Sequence, residues 1–218
     1  MKAVEDAAKL LESLGHHVEE AEPSIDMMTM SMDWLGIWFA KCAAEIAQIR
    51  EMTGCGNEGF ELDNLAMAAF GHATRADQYL GFYQRSQLYS QQLADFHDRY
   101  DLWMTPTMAM EPARIGATET PAWQQKMLKG ILKLRAEKLL LKSGIVEQMV
   151  KENMKYVPFT QLANLTGVPA MSVPLHWCES GLPMGVQFVG AHGDEGRLLC
   201  LAGQLEKARP WFDRVPDI

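Results

Sequence analysis

The spacing of hydrophobic positions predicts a chain built mainly of helices. Over long stretches the apolar residues recur every three or four positions with polar residues between them, which is the pattern of a helix with one buried face. A short helix through Phe70, capped by Asp63 or Asn64, and another over residues 145–154 are also expected. The long helical segments are residues 2–14, 24–52, 76–100 and 123–141.

Fewer segments have the short apolar pattern of strands. Residues 17–21 follow Gly15, which is expected to end the first helix, and they predict a short strand. Residues 102–105 predict a buried strand that ends at Pro106, because proline cannot donate a hydrogen bond to a neighbouring strand.

The best-defined unit is a hairpin near the end of the chain. Residues 170–175 and 184–190 are apolar on both faces, and Gly181 lies in the turn between them. Strands of this kind are covered on both sides, as interior strands of a mixed sheet are. Asp194 is expected to cap the helix that follows.

Composition and charge narrow the class of protein. The 218 residues are 48% hydrophobic and 22% charged, which is ordinary for a globular domain with a sizeable core. The net charge of −8 argues against a nucleic-acid partner, because phosphate binding needs a basic face. No stretch reaches the roughly 18 apolar residues of a membrane span, and Glu5 and Asp6 lie where a signal peptide would be apolar. A cytoplasmic protein without membrane contact is therefore expected.

The cysteines do not form a recognisable metal site. None belongs to a Cys-x-x-Cys pair, and no closely spaced histidine could complete a zinc site. Free thiols and no bound metal are expected. The four residues are Cys42, Cys55, Cys178 and Cys200.

Three segments together carry a resemblance to a known family. Residues 158–174 read PFTQLANLTGVPAMSVP, a short helical turn that ends at Gly167 and leads into the apolar hairpin. Residues 100–107 read Tyr-Asp-Leu-x-x-Thr-Pro-Thr, and residues 2–23 contain a helix that ends in Leu-Gly-His before Val-Glu. This succession resembles the C-terminal end of the amidase signature family. The resemblance implies a helix-rich α/β fold, a mixed β-sheet flanked by helices, with one domain over residues 1–218.

Amidase signature enzymes hydrolyse amide bonds with a Ser–cis-Ser–Lys triad, most of which lies in a Gly/Ser-rich stretch. This chain contains no Gly-Gly or Ser-Ser dipeptide, and Gly-x-Ser-x-Gly, Ser-x-x-Lys and His-Glu-x-x-His are also absent. No catalytic residue can therefore be carried over from the family. The resemblance implies hydrolysis of a carboxamide or linear amide through an acyl-enzyme, without a metal or organic cofactor, and the chain alone is expected to be inactive.

Two groups of residues are candidates for lining a substrate pocket. Thr105, Pro106 and Thr107 follow a buried strand, where α/β proteins place ligands. Trp38 and Cys42 lie one helical turn apart on an apolar face and could wall an acyl or amide substrate, although core packing is the alternative role.

A catalytic role for Cys42 with His72 or His97 is disfavoured. No basic neighbour in the sequence would lower the pKa of its thiol.

Two functions remain open on the sequence. The first is the C-terminal portion of an amide hydrolase, which meets its small-molecule amide substrate together with an N-terminal half. The second is a non-catalytic module that binds a partner or itself through an open sheet edge and apolar surface. Both imply a homo-oligomer or pairing with an N-terminal half. An upstream reading frame with the Gly/Ser-rich stretch and its lysine would favour the first.

Overall fold

The computed structural model describes residues 2–117, 119–134 and 144–216. Within these ranges the chain forms eight α-helices and three strands, and Asn57–Gly59 forms a 3₁₀ turn. The helices are α1 Lys2–Ser13, α2 Met27–Thr53, α3 Leu62–Ala73, α4 Ala76–His97, α5 Ala122–Leu134, α6 Ile145–Met154, α7 Thr160–Thr166 and α8 Glu195–Ala208. The strands are β1 Leu102–Pro106, β2 Ala170–Trp177 and β3 Pro183–Gly190.

These elements confirm the predicted helices and the hairpin. Helix α4 ends at His97, three residues earlier than the hydrophobic pattern indicated. Helix α5 is described as far as Leu134, and the remainder of the predicted helix over residues 123–141 lies outside the described residues. None of the described helices is both long and apolar enough to cross a membrane.

The chain divides into two compact units. The sheet unit comprises Met1–Met27, Gln87–Ala113 and Asn153–Ile218. The helical unit comprises Met28–Ser86 and Arg114–Glu152. The expectation of one domain across residues 1–218 stays a prediction.

The sheet has the order β1-β3-β2, so β3 lies in the middle of the described strands. Both of its strand pairs are antiparallel, and the described strands therefore lack the parallel pair that a mixed sheet would contain. The turn between β2 and β3 has Gly181 at φ 77°, in the left-handed region that glycine adopts without strain. The register of β2 on β3 shifts between Val173 and His176, around Pro174.

The predicted strand over residues 17–21 is wrong, since residues 16–23 have no strand pairing. Val18 of this segment packs against the core of the sheet unit. Its polar side chains form hydrogen bonds instead, with His17 Nε2 2.9 Å from Glu19 Oε1 and Glu19 accepting a bond from the Tyr100 hydroxyl, outside the segment, at 3.1 Å. Because most of its side chains are polar or charged, the segment has little apolar surface that pairing in a sheet would bury.

One face of the sheet forms the hydrophobic core of its unit. Alternate residues of a strand point to the same side, so the apolar positions of β2 and β3 meet the helices there. Helices α1 and α8 contribute residues three or four positions apart, which form one stripe along each helix. The buried members are Ala3, Ala7, Leu11, Val173, Leu175, Val186, Phe188, Leu198, Leu201 and Leu205.

Two predicted side-chain caps are not formed. Asp194 is the N-cap residue of α8, but its carboxylate makes no capping bond and instead pairs with Arg197 Nε at 2.8 Å. At φ −98° and ψ 30° its backbone is outside the extended region that a capping side chain needs. Helix α3 begins at Leu62 with Glu61 as its N-cap residue, and Asp63 accepts a hydrogen bond from Thr120 Oγ1 at 3.0 Å.

Close helix packing in the helical unit depends on a glycine. The Phe39 ring of α2 lies 5.2 Å from the Phe70 ring of α3, and both side chains are buried. A Cβ atom at Gly71 would collide with the backbone carbonyl of Phe39, so α2 and α3 approach at a distance that only glycine permits.

A buried ion pair joins α2 to the first half of α4. The Asp33 side chain is 3% exposed, and its two carboxylate oxygens accept hydrogen bonds from Arg85 Nε at 2.7 Å and Nη2 at 2.6 Å. A planar guanidinium matches a carboxylate in this two-bond geometry, which makes the pair stronger than a single contact. Arg85 also lies over the Phe82 ring, 5.5 Å from its centroid.

We predict that Arg85→Leu lowers the free energy of unfolding by about 2–4 kcal/mol, because it leaves the buried Asp33 carboxylate without its guanidinium partner. Urea unfolding followed by circular dichroism measures this change. Arg75→Leu is the matched control, since Arg75 pairs with Asp77 at 2.9 Å with both side chains mostly exposed, and it should cost less than about 1 kcal/mol. Equal effects of the two substitutions would contradict the prediction.

Candidate functional site

The second face of the sheet is polar along one row. Thr105 on β1, Gln187 on β3 and Ser172 on β2 stand opposite one another in the strand register. Since side chains alternate along a strand, Gly185 and Thr107, each two residues further towards one end, belong to the same face. This polar face, defined by Thr105, Thr107, Ser172, Gly185 and Gln187, is the candidate functional site.

The inner part of the polar face is buried and hydrogen-bonded. Gln187 is 5% exposed, and its Nε2 donates to Thr105 Oγ1 at 3.2 Å and to the Phe159 carbonyl at 3.5 Å. Thr105 is 4% exposed. Beside it, the buried Trp103 ring meets the Phe159 ring edge to face at 6.1 Å. These contacts connect β1, β3 and Phe159, the residue before α7.

The outer part of the polar face is accessible. Thr107 Oγ1 and Ser172 Oγ lie 2.5 Å apart, which is a short hydrogen bond in which either hydroxyl can be the donor. The Thr107 N–H donates to the Gly185 carbonyl at 3.0 Å, which continues the ladder one residue beyond β1. A Cβ atom at Gly185 would collide with both hydroxyl oxygens, so glycine is required for the pair to form.

The hydroxyl pair can bind a polar group, but it lacks the partners of a nucleophile. A serine or threonine hydroxyl becomes nucleophilic when an adjacent base takes its proton. The Ser172 side chain hydrogen-bonds to Thr107, and within the described part of the chain neither hydroxyl has a hydrogen bond to a lysine, histidine or carboxylate. Among the described residues, no group of three or more His, Cys, Asp or Glu is arranged to hold a metal ion.

The five predicted pocket residues fall into two places. Thr105 and Thr107 lie on the polar face, whereas Pro106 pairs with Val186 and falls on the core face by strand alternation. Trp38 and Cys42 lie on α2 in the helical unit, while Thr105 to Thr107 lie in the sheet unit. A pocket-lining role for any of the five stays a prediction.

Around Trp38 and Cys42 the structure shows partly exposed aromatic and thiol groups. The Trp38 ring lies 5.2 Å from the Trp34 ring, one turn earlier on α2, and Trp38 is 39% exposed. The Cys42 thiol is directed at the carbonyl of Asn64, with Sγ 3.6 Å from the oxygen. Burial, and secondarily the charge of Glu45, raise the pKa of the Cys42 thiol. A raised pKa disfavours the thiolate and therefore a nucleophilic role for this residue.

The sequence analysis did not identify Ser172, Gly185 and Gln187 as site residues. A signal was present, because Ser172 and Gln187 are polar residues inside otherwise apolar strands. Their relation to Thr105 and Thr107 depends on the strand register, which links residues 65 and 82 positions apart in the sequence. A glycine that must stay free of a side chain is recognisable only once those neighbours are known.

We predict that Gln187→Leu and Thr105→Val each lower the free energy of unfolding by about 1–3 kcal/mol, because each removes one side of a buried hydrogen bond. The double variant should lose less than the sum of the two, by at least about 0.5 kcal/mol. Urea unfolding measures all three variants. Gln204→Leu is the control, since Gln204 lies on an exposed contact with His16. Additive losses would contradict a direct coupling between the two side chains.

The thiol pKa values generate a second prediction. Burial raises the pKa of both Cys42 and Cys178, whereas Cys200 is exposed, and all four cysteines are free thiols. At pH 8, iodoacetamide should alkylate Cys200 roughly fivefold or more faster than Cys42 and Cys178, because the thiolate is the reacting form. Peptide mass spectrometry over time measures the order, and the urea-unfolded chain is the control in which the differences should vanish. Faster alkylation of Cys42 than of Cys200 would refute the prediction.

Comparison with known proteins identifies the family to which this fold belongs. The family model named Amidase matches residues 1–199. The amidase AmiC of Mycobacterium leprae is 35% identical over 207 residues, which cover 94% of this chain and 39% of the relative. The 6-aminohexanoate-cyclic-dimer hydrolase of Pseudomonas sp. strain NK87 is 29% identical over 223 residues, covering 99% of this chain and 41% of the relative.

Solved structures agree with the sequence relatives. The structure of a 6-aminohexanoate cyclic dimer hydrolase complexed with substrate has a TM-score of 0.80 at 25% identity, over 99% of this chain and 42% of that chain. A bacterial aryl acylamidase of the amidase signature enzymes has a TM-score of 0.70 at 20% identity, over 96% and 40%, and this likeness supports the fold alone. The chain spans about two fifths of the length of the relatives it matches. It belongs to the amidase signature family and represents its C-terminal portion.

Proposed function

We propose that this chain is the C-terminal portion of a hydrolase that cleaves carboxamides or linear amides through an acyl-enzyme intermediate, and that its polar face forms part of the substrate-binding wall. Membership of the amidase signature family supports the reaction class. The Mycobacterium leprae relative is named as an amidase, and the Pseudomonas relative as a hydrolase of the 6-aminohexanoate cyclic dimer.

The chemistry of acyl transfer divides between this chain and the rest of the enzyme. Attack on an amide carbonyl needs a nucleophile with a nearby base, and donors that stabilise the developing oxyanion. Amidase signature enzymes supply these groups from the Ser–cis-Ser–Lys stretch, to which no segment of this sequence corresponds. We therefore assign binding and orientation of the substrate to this chain, and bond cleavage to residues outside it.

The observation that carries the wall assignment is the accessible hydroxyl pair. Thr107 and Ser172 present hydroxyl groups 2.5 Å apart above the unsubstituted Gly185 backbone. Hydroxyls both donate and accept hydrogen bonds, as an amide group requires, since its oxygen accepts and its N–H donates. The buried bond between Gln187 and Thr105 lies beside them on the same face and links β1 to β3.

A second candidate is a non-catalytic module that binds a partner or a second copy. Large apolar side chains on the helical unit favour it, because exposed apolar area commonly marks a protein contact. Among the described residues of this unit, the most exposed are Ile115, which is fully exposed, Met52 at 76%, Trp123 at 64%, Leu80 at 57% and Tyr83 at 55%.

Labelling of the protein purified from its own host separates the two candidates. A fluorophosphonate that traps active serines, followed by peptide mass spectrometry, should label a serine outside these 218 residues. That serine would lie in the same polypeptide or in one that co-purifies, and the sample should hydrolyse a carboxamide. The 218-residue chain expressed alone is the control, and it should show neither label nor hydrolysis.

Two other results would contradict the proposal. A labelled serine within the 218 residues would show that the chain carries its own nucleophile. A host preparation with neither a labelled serine nor amide hydrolysis would support the non-catalytic module instead.

A further inference from the structure

We propose that the Thr107–Ser172 hydroxyl pair binds the edge of a primary carboxamide, and that it selects primary carboxamides over trans secondary amides and over carboxylates. This inference rests on the proposed function and specifies the substrate class at the same polar face. It follows from the short hydroxyl separation, from the hydrogen-bond donors and acceptors of the two groups, and from their close placement over the Gly185 backbone, where a Cβ atom would collide with both oxygens.

The short distance between the two hydroxyl oxygens makes one hydroxyl a donor and the other an acceptor towards a ligand. With the two oxygens 2.5 Å apart, one hydroxyl hydrogen lies between them and is used up in that bond. The hydroxyl that accepts this bond directs its own hydrogen outward, because its hydrogen is not needed within the pair. The hydroxyl that donates keeps its lone pairs. The pair therefore presents one donor and one acceptor side by side, whichever residue takes which role.

A primary carboxamide has the complementary arrangement. Its carbonyl oxygen accepts, and the N–H on the same side as that oxygen donates, so both can meet the pair from one edge. In a trans secondary amide the N–H points away from the carbonyl oxygen, and only one of the two bonds can form. A carboxylate offers two acceptors, and one of its oxygens would face a hydroxyl lone pair. The pair should therefore favour the amide over the acid released by hydrolysis.

The backbone holds the pair in place before a ligand arrives. Ser172 lies within the β2–β3 ladder, opposite Gln187. The N–H of Thr107 is bonded to the carbonyl of Gly185. Gly185 has no Cβ atom, which would collide with both hydroxyl oxygens, so the two oxygens can stay in contact. A preformed pair avoids part of the ordering cost that binding otherwise incurs.

A ligand series tests the selection directly on the 218-residue chain. Benzamide, N-methylbenzamide and benzoate share a ring and differ only at the polar edge. In a ¹H–¹⁵N NMR titration, benzamide should shift the backbone signals of Thr107, Ser172 and Gly185. The other two ligands should bind about 3- to 10-fold more weakly there, because each loses one hydrogen bond.

Variants of the pair provide the second arm. Ser172→Ala and Thr107→Val should each weaken benzamide binding by about 3- to 10-fold. Ser180→Ala, in the exposed turn between β2 and β3, is the matched control and should bind as the unmodified chain does. The rest of each spectrum reports whether a variant is folded, and if one is not, the ligand series on the unmodified chain still decides.

The outcomes of the ligand and variant titrations can be distinguished from those of the serine labelling. Equal affinity for the three ligands at these signals, no shift at them, or unchanged benzamide binding by Ser172→Ala would each overturn the inference. If a serine outside the chain is labelled and amides are hydrolysed, the proposed function stands despite such a failure. Selective benzamide binding without any labelled serine would support the site and contradict the hydrolase assignment.

Discussion

The central strand β3 has to satisfy two different environments, and the rest of the sheet unit depends on how it does so. Val186 and Phe188 point into the core, at no more than 1% exposure, against the helices α1 and α8. Between them, Gln187 points to the opposite side and is buried there as well. A buried amide must find hydrogen-bond partners, so its bonds with Thr105 and the Phe159 carbonyl set where β1 and α7 can lie.

Most of the fold could be predicted because its signals are local. The spacing of apolar residues identifies α2 and α4, and a glycine with left-handed backbone, Gly167 at φ 74°, ends α7 where the sequence indicated. The errors arose where tertiary contacts override local preference. Residues 17–21 have strand-like composition without enough apolar surface to pair, and the Asp194 carboxylate is drawn to Arg197 instead of the helix N-terminus.

The candidate site was less accessible to prediction for a physical reason. Thr105 and Thr107 could be identified because they lie at the end of a predicted strand and just beyond it, and the end of a strand is signalled by nearby residues. Ser172 and Gly185 acquire meaning only through pairing between distant segments, and a register shift of one residue would send them to the core face. The fold could therefore be predicted from residues close together in the sequence, whereas the site depends on contacts between residues far apart in the sequence.

The irregularity in β2 has a consequence for how this chain meets other chains. Around Pro174 the strand changes register on β3, and proline offers no N–H of its own. The straight part of this outer strand is thereby shortened to residues 170–173 before the register shift. The hydrogen-bonded edge of β2, an outer strand among those described, is therefore interrupted at the register shift, two residues beyond Ser172, before pairing with β3 resumes at His176.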